Sequence, residues 1–226
     1  MNYISSAIVL DVRSHHSDIN EYLLEIEYPR KYKPGSFVQL SLDQVDASSI
    51  WPESRTFSIA SFKEDKMRFF IKKQGKYTHR IFNELKVGSC CTVKFPFGEL
   101  FDRKTLDDTH IFLAGGVGIT PYFGLIEYFE RMERLENLYL LYSVKIPEHF
   151  LYLDYLKSKL NDRLFLFTTQ NSSREFTDRR IRINDISDIA NYKDHIYICG
   201  NKSFNQYFKT NLKKIGYHEI HMDEWE

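Results

Sequence analysis

The fold predicted for this chain rests first on one stretch of sequence, Phe112-Leu-Ala-Gly-Gly-Val-Gly-Ile-Thr-Pro-Tyr122. It continues an apolar run from Ile111 to Ala114, which is typical of a buried strand. Glycines follow at once, and Thr120-Pro121 then opens a helical pattern, since proline fits the first helical turn. Backbone N–H groups and the helix dipole at such a turn favour a bound anion, a phosphate for example. The alternative is a tight strand-to-helix turn without a ligand, and a lone motif would leave that alternative ahead.

The composition excludes several classes of protein. The chain has 226 residues, with 31 Lys plus Arg and 31 Asp plus Glu, so its formal net charge is zero. We expect one large or two small domains, and no basic excess indicates nucleic acid. No apolar run approaches the ~20 residues of a membrane helix, and the N-terminus lacks a signal segment. We therefore expect a cytoplasmic protein that does not insert into a membrane.

The cysteines and histidines indicate no metal site. The three cysteines are Cys90, Cys91 and Cys199, which is too few for an ordinary iron–sulfur cluster. The eight histidines show no ligand spacing, and zinc motifs such as HExxH are absent. The sequence therefore predicts no bound metal.

Residues 1 to about 100 carry many short runs of β-branched and aromatic residues between turn signals. This pattern predicts a small antiparallel barrel or sandwich. One short helix is predicted over 78–85, with Thr78 as its N-cap. The predicted strands cover residues 7–12, 22–27, 36–42, 56–62, 67–72 and 91–95.

From about residue 108 the pattern changes to alternating strands and helices. Such alternation predicts a doubly wound α/β domain with a parallel sheet, which binds ligands at the carboxyl ends of its strands. We place the domain boundary so that the domains comprise residues 1–103 and 104–226. The predicted strands are 110–114, 138–143, 163–168 and 195–199, and the predicted helices are 120–134, 148–160, 182–189 and 202–214.

Six short motifs follow one another along the chain, and none is specific by itself. They are Pro34-Gly-Ser-Phe-Val38, Arg55-Thr-Phe-Ser58, Gly75-Lys-Tyr-Thr78, Pro96-Phe-Gly98, Gly115-Gly-Val-Gly-Ile-Thr-Pro121 and Tyr197-Ile-Cys-Gly200. The ordered set resembles the ferredoxin–NADP reductase family from about residue 5 to the C-terminus. The resemblance implies a flavin-binding antiparallel β-barrel followed by an NAD(P)-binding α/β domain. It also implies an oxidoreductase that passes hydride from NADPH or NADH to bound FAD, with FMN as the less expected flavin.

The resemblance assigns flavin-binding roles in the first domain. Arg55, beside Thr56, would hold the flavin phosphates, since a planar guanidinium can bond two phosphate oxygens. Phe57 would flank the isoalloxazine or the ribityl chain, and Ser58 would be a catalytic residue near flavin N5. On these residues alone, an ordinary half-exposed strand is the alternative. Further phosphate contacts would come from Gly75, Lys76, Tyr77 and Thr78.

In the second domain, the resemblance assigns the residues that flank the nicotinamide and its pyrophosphate. Cys199 is also predicted to be catalytic. Ser143, Lys145 and Arg174 resemble the family's 2′-phosphate pocket, which favours NADPH; solvated loop charge is the alternative, and Arg179, Arg180 and Arg182 could contribute instead. The predicted nicotinamide-binding residues are Gly115, Gly116, Gly118, Ile119, Thr120, Pro121, Cys199 and Gly200.

The last residues of the chain resemble the family's acidic and aromatic terminus beside the flavin. Glu224 and Trp225 are therefore predicted to be catalytic, with Trp225 covering the isoalloxazine face where the nicotinamide must enter. The alternative is an aromatic residue that packs down a frayed terminus.

Two departures from the family pattern stand out. Phe57 replaces the family's usual tyrosine, which keeps the ring and removes a hydroxyl, and Ser36 replaces a common glutamine. The chain carries no ferredoxin-like domain, so we expect a separate electron acceptor: a small molecule or a protein such as ferredoxin, flavodoxin or an oxygenase component. The alternatives are a free-flavin or quinone reductase and a non-catalytic regulatory subunit that binds flavin or dinucleotide.

Overall fold

The computed structural model of the protein describes residues 2–45, 50–61, 65–170 and 175–222, with every side chain in those ranges except that of Arg103. The chain divides into two compact units, which are described separately. Of the described residues, those up to 99 and those from 120 to 127 form the first unit, and those from 100 to 119 and from 128 to 222 form the second. The predicted boundary between residues 103 and 104 stays a prediction.

The first unit is an antiparallel sheet of six strands that curls into a nearly closed barrel. Its strands are β1 (Tyr3–His16), β2 (Ile19–Ile26), β3 (Phe37–Ser41), β4 (Arg55–Ser58), β5 (Lys66–Lys72) and β6 (Cys90–Phe97), in the order β4-β3-β6-β1-β2-β5. The N–H of Ala60, just beyond β4, donates to the carbonyl of Arg68 on β5 at 2.8 Å, which links the two edges of the sheet. Alternate strand residues such as Leu24, Val38 and Phe69 are fully buried, as expected for side chains that point inward. The predicted antiparallel barrel is confirmed.

The helix of this unit, α1, spans Lys76–Glu84 and buries Tyr77 and Ile81 in the barrel core. The predicted N-cap is wrong, because the helix begins two residues earlier than predicted. Gly75 is the N-cap, and Thr78 lies inside the first turn. The Oγ1 atom of Thr78 accepts the Gly75 N–H at 2.9 Å, so a side chain within the helix satisfies the backbone at its start.

The second unit is built on a six-stranded parallel sheet. Its strands are β7 (His110–Gly115), β8 (Leu138–Val144), β9 (Leu164–Thr168), β10 (Thr177–Asp178), β11 (His195–Cys199) and β12 (Ile220–His221), in the order β10-β9-β8-β7-β11-β12. Its helices are α2 (Thr120–Arg131, of which residues 120–127 belong to the first unit), α3 (Leu153–Leu160), α4 (Ile183–Ser187) and α5 (Lys202–Lys214). The predicted doubly wound sheet is confirmed.

The strand order reverses direction at β7. The chain places β8 and β9 on one side of β7 and then returns to add β11 on the other side. Such a reversal makes the carboxyl ends of β7 and β11 the expected ligand crevice of an open parallel sheet.

One predicted helix of this unit is wrong in its first turn. Residues 147–149 form a separate 3₁₀ turn, and α3 starts only at Leu153. Tyr152, immediately before α3, has φ of 51°, a left-handed conformation that interrupts the helical path.

Candidate functional site

The glycine-rich turn predicted to bind an anion lies at the carboxyl end of β7. Gly116–Ile119 form one 3₁₀ turn that leads directly into α2, with Pro121 in its first turn. Gly116 has φ of +57°, and a Cβ added there would meet no atom within 4 Å. The Gly116 backbone therefore faces open space, where a ligand can approach it closely.

A glycine is required at position 118 for a different reason, because the backbone there contacts another part of the protein. A Cβ added at Gly118 would lie 2.1 Å from the carbonyl oxygen of Cys199 and 2.8 Å from the nitrogen of Gly200. The two backbones therefore touch at the end of β11, where Cys199 is the in-register partner of Ala114 on β7. This approach joins two of the predicted motifs at the point where the strand order reverses.

An aromatic ring that the sequence analysis did not single out covers two of the glycines. The ring is that of Phe204, in the first turn of α5. A Cβ on Gly115 would lie 3.2 Å from the ring, and one on Gly200 would lie 2.6 Å from it. The Asn201 side chain caps α5 by accepting the Phe204 N–H at 3.0 Å, and the ring lies 4.7 Å from that of Phe208. Phe204 lies beside the glycines because β7 and β11 pair over a long distance in sequence, and no local sequence pattern predicts that pairing.

The predicted 2′-phosphate residues lie at the carboxyl end of β8. Ser143 is half-buried and is the in-register partner of Gly115 on one side and of Phe167 on the other. Lys145 has an exposed side chain, and its carbonyl accepts the N–H groups of Thr169 and Gln170. Ser143 therefore lies beside the glycine-rich turn, and Lys145 follows the strand.

Arg179, proposed as an alternative cation, is engaged elsewhere. Its guanidinium makes a two-point ion pair with Asp185, with N–O distances of 2.7 and 2.6 Å. The hydrogen bond from Arg179 holds the pKa of the Asp185 carboxyl below its ordinary value, and the backbone N–H of Arg182 adds to this effect. This pair fixes the turn before α4 rather than leaving Arg179 for a ligand.

In the barrel unit, two predicted motifs come together on β4 and α1. The guanidinium of Arg55 lies over the Tyr77 ring at 5.0 Å from its centroid, and it donates to the Ser54 carbonyl at 2.7 Å and to Glu53 at 3.2 Å. Tyr77 is buried, which raises the pKa of its phenol, and the phenol oxygen accepts the Leu42 N–H at 3.0 Å. The buried tyrosine thus supports an exposed cation.

The rest of the Arg55–Ser58 motif lies along an edge of the barrel sheet. On β4, Thr56 pairs with Gln39 and Ser58 pairs with Phe37 of β3, and Phe57 packs half-buried against the core. Because β4 ends the sheet, one side of this strand has no strand partner in the sheet order.

The donor chemistry of these residues fits a dinucleotide. In the first unit, Arg55 lies beside α1, whose first turn carries exposed Lys76 and begins at a glycine without a side-chain acceptor. Guanidinium, ammonium and helix N-terminal N–H groups are the donors that proteins use for phosphates. In the second unit, the open backbone at Gly116 precedes α2, which has no acidic residue in its first turn.

Three predicted site residues, Arg174, Glu224 and Trp225, lie outside the described residues. Ile119, Thr120 and Pro121 are buried at the start of α2, and Cys199 is half-buried at the end of β11. The roles assigned to all of these residues stay predictions.

Comparisons with known proteins agree with this geometry. The family model described as "Oxidoreductase NAD-binding domain" matches residues 112–210. A ferredoxin–NADP reductase of Azotobacter vinelandii is 30% identical over 171 residues, covering 69% of this chain and 64% of that protein. The chain belongs to the ferredoxin–NADP reductase family. The predicted family is thereby confirmed, and with it the predicted cofactors, FAD and NAD(P)H.

Other known proteins extend the comparison. A flavohemoprotein of Candida albicans is 32% identical over 177 residues, covering 71% of this chain and 44% of that protein. A ferredoxin NADP⁺ reductase of Neisseria gonorrhoeae, solved with bound FAD and NADP, aligns over 98% of both chains with a TM-score of 0.80 and 19% identity, and shares the fold. Further matches are the reductase component of a propane 2-monooxygenase of Mycolicibacterium smegmatis and component C of a methane monooxygenase of Methylosinus trichosporium. The chain spans about half the length of the first of these curated relatives.

Within the described residues, no helix combines the length and the apolar character needed to cross a membrane.

Proposed function

We propose that this chain is an FAD-dependent NAD(P)H oxidoreductase that takes hydride from the nicotinamide and delivers electrons to a separate acceptor. One observation carries the proposal: the turn at Gly116 faces open space where the strand order reverses, beside the backbone contact between Gly118 and Cys199. A parallel sheet binds its ligand at such a point, and family membership indicates a dinucleotide as that ligand.

In the barrel unit, we assign the flavin phosphates to Arg55 and to the first turn of α1. The exposed guanidinium above Tyr77 supplies a planar fork, and Gly75 at the N-cap puts no side chain in the way of an anion. Thr56, Phe57 and Ser58 continue along the same strand, where a ring and a hydroxyl are suited to a flat heterocycle and its edge. When bound, FAD would supply the conversion between two-electron and one-electron chemistry.

In the α/β unit, we assign the pyrophosphate to the turn at Gly116, which leads into α2. Gly115, Gly200 and Phe204 form the neighbouring wall, because the ring lies against both glycines. The role of these residues is to hold the nicotinamide in one orientation, which is how proteins contribute most to cofactor chemistry.

We further propose that NADPH is the preferred nicotinamide. Ser143 and Lys145 supply a hydroxyl and a cation at the carboxyl end of β8, and no carboxylate ends that strand. A 2′-phosphate is favoured by such donors, whereas a ribose diol is usually held by an acidic residue. Arg174 would add to this pocket.

The nicotinamide preference is tested by comparing kcat/KM for NADPH and NADH, with ferricyanide as electron acceptor. We expect a preference for NADPH that falls in Lys145→Glu, with KM for NADPH raised and kcat nearly unchanged. Lys193→Glu is the control, because it makes the same charge change in an exposed turn just before β11, at the end of β11 opposite Cys199. It should leave the ratio of kcat/KM for NADPH to kcat/KM for NADH unchanged. A wild-type preference for NADH, or equal effects of the two substitutions, would contradict the assignment.

The identity of the acceptor is a separate proposal. We expect a small electron-transfer protein or an oxygenase component, because the relatives include the reductase component of a propane monooxygenase and a component of a methane monooxygenase. Offering ferredoxin, flavodoxin, free FMN and a quinone to the reduced enzyme distinguishes a protein acceptor from a small-molecule one. Rapid turnover with free FMN or the quinone alone would favour the alternative function, that of a free-flavin or quinone reductase. The predicted cytoplasmic location stays a prediction.

A further inference from the structure

A cluster of histidine and carboxylate side chains lies on two neighbouring strands of the α/β unit, away from the glycine-rich turn. His195 begins β11, at the opposite end of that strand from Cys199. Glu219 and His221 flank Ile220, which pairs in register with residue 196 of β11. Within the described part of the chain, this is the one group of three His, Cys or acidic residues whose ligand atoms all lie within 4.8 Å of one another.

The ligand atoms of this cluster have the spacing of a metal site. The Nδ1 atom of His195 and the Nε2 atom of His221 are 3.0 Å apart, and a carboxylate oxygen of Glu219 is 3.9 Å from the same His195 nitrogen. Two nitrogens that are each about 2.0–2.1 Å from a tetrahedral zinc ion are separated by roughly 3.3 Å. The side chains therefore need to move by only a few tenths of an ångström to accept an ion between them.

Asp108 favours the tautomer of the neutral His195 ring that a metal requires. Its carboxylate oxygen lies 3.2 Å from the Nε2 atom of His195. Because a carboxylate only accepts, a neutral His195 ring bonded to Asp108 carries its proton on Nε2, and the lone pair of Nδ1 then faces His221. His195 is only 8% exposed, so its ring orientation is held by packing. A carboxylate behind a histidine is the usual arrangement for orienting a zinc ligand.

A direct hydrogen bond between the two histidines is the competing explanation. The His221 Nε2–H would donate to the Nδ1 lone pair of His195 across the same 3.0 Å. That arrangement gives Glu219 no part, although its carboxylate lies beside the pair. The two explanations differ in a measurable way, because only a metal site is weakened by changing Glu219.

We propose that His195, His221 and Glu219 bind a Zn²⁺ ion, with Asp108 as the residue that orients His195. Two imidazoles and one carboxylate suit zinc and leave a fourth position for water, whereas Ca²⁺ and Mg²⁺ prefer oxygen ligands. The ion would clamp the two-residue edge strand β12 to β11 and so stabilise the unit. This inference departs from the sequence-based expectation of no metal and is independent of the oxidoreductase proposal.

The test uses the full chain without an affinity tag, stripped with a chelator and then titrated with ZnCl₂ in a calorimeter. We expect one Zn²⁺ per chain and, at a hundredfold excess over Kd, a rise in Tm of about 5–10 °C. Co²⁺ in place of Zn²⁺ should give visible bands of a four-coordinate site. Glu219→Gln removes the negative charge of this exposed side chain and keeps its shape, and it should weaken Zn²⁺ binding at least about tenfold.

Two further variants complete the test. His221→Ala should abolish stoichiometric binding, and Asp108→Asn should weaken binding by about 10–100-fold without removing a ligand. His218→Gln is the matched control, because His218 is an exposed histidine on the same segment. The proposal is overturned if the wild-type chain binds no Zn²⁺, or if Glu219→Gln and His221→Ala bind it as tightly as His218→Gln does.

Discussion

Gly118 and Cys199 touch backbone to backbone, so closely that a Cβ on Gly118 would lie 2.1 Å from the Cys199 carbonyl oxygen. Heavy atoms cannot approach so closely, so one of the two segments must move if position 118 carries a side chain. The contact holds the glycine-rich turn against the end of β11. The proposed dinucleotide site depends on this placement.

Gly118→Ala should therefore damage the site more than Gly116→Ala does. The obstacle at Gly118 is backbone, so we expect a loss of unfolding free energy of about 3 kcal/mol, at the upper end of overpacking. At Gly116 the space is open, and only the left-handed φ of +57° opposes a Cβ, at about 1–2 kcal/mol. Chemical denaturation of both variants measures the difference, and a larger loss in Gly116→Ala would show that the contact at Gly118 is unimportant.

Phe204→Ala should change nicotinamide binding as well as stability. The ring lies against Gly115 and Gly200, so its removal opens the wall of the proposed site. Because Phe204 is half-buried, we expect a loss of unfolding free energy of roughly 2 kcal/mol, less than the 3–5 kcal/mol of a fully buried phenylalanine. Phe208→Ala, on the same helix, is the matched control because that ring is fully buried in the core. We expect Phe208→Ala to cost more stability and Phe204→Ala to change the Kd for NADP⁺ more. Equal Kd values in the two variants would place Phe204 outside the site.

Arg55→Ala should weaken flavin binding by roughly 10–100-fold, the loss expected for a hydrogen-bonded charge. Arg55→Lys should retain part of the affinity, since an ammonium lacks the planar fork of the guanidinium. Arg30, whose guanidinium lies over the Tyr3 ring at 5.3 Å, offers a control in the same unit through Arg30→Ala. Titration of each flavin-free protein with FAD, followed by flavin fluorescence, gives the affinities of the wild-type chain and of the three variants. If Arg55→Ala binds FAD as tightly as Arg30→Ala, the assignment of Arg55 is wrong.

The Arg179–Asp185 pair should give a stability term that depends on pH. Arg179 lowers the pKa of Asp185 in the folded chain, so the pair stabilises the fold above the unfolded pKa near 4 and loses this contribution as the pH falls through the folded value. Since the pair is partly exposed, Asp185→Asn should cost only about 1 kcal/mol at pH 7 and nothing at strongly acid pH. Asp178→Asn, at an exposed carboxylate, is the control and should cost little stability at either pH. A cost that persists unchanged in acid would contradict this account of the pair.

Local patterns predicted most of the fold. The predicted strands that end at Ala114, Ser143 and Cys199 correspond to three parallel strands of the structure, and the glycines with Pro121 located the turn into α2. These features depend on residues that are close in sequence, through side-chain burial and backbone conformation. The amino-acid sequence alone is therefore enough to predict them. The order of the motifs then indicated the family.

What the sequence could not predict depends on distant residues coming together. Phe204 lies on the glycines only because β7 and β11 are neighbours, and His195 meets His221 only because the two-residue strand β12 pairs with β11. The capping error has a local cause, since a threonine can cap from outside a helix or from inside its first turn, and Thr78 does the latter.

Anaerobic titration of the purified protein with NADPH shows whether this chain accepts hydride from a nicotinamide through a bound flavin. We expect a yellow protein whose visible flavin absorbance is lost as about one equivalent of NADPH is added, and returns when air is admitted. A chain reconstituted with FAD that keeps its full absorbance in the presence of excess NADPH and of excess NADH would contradict the claim.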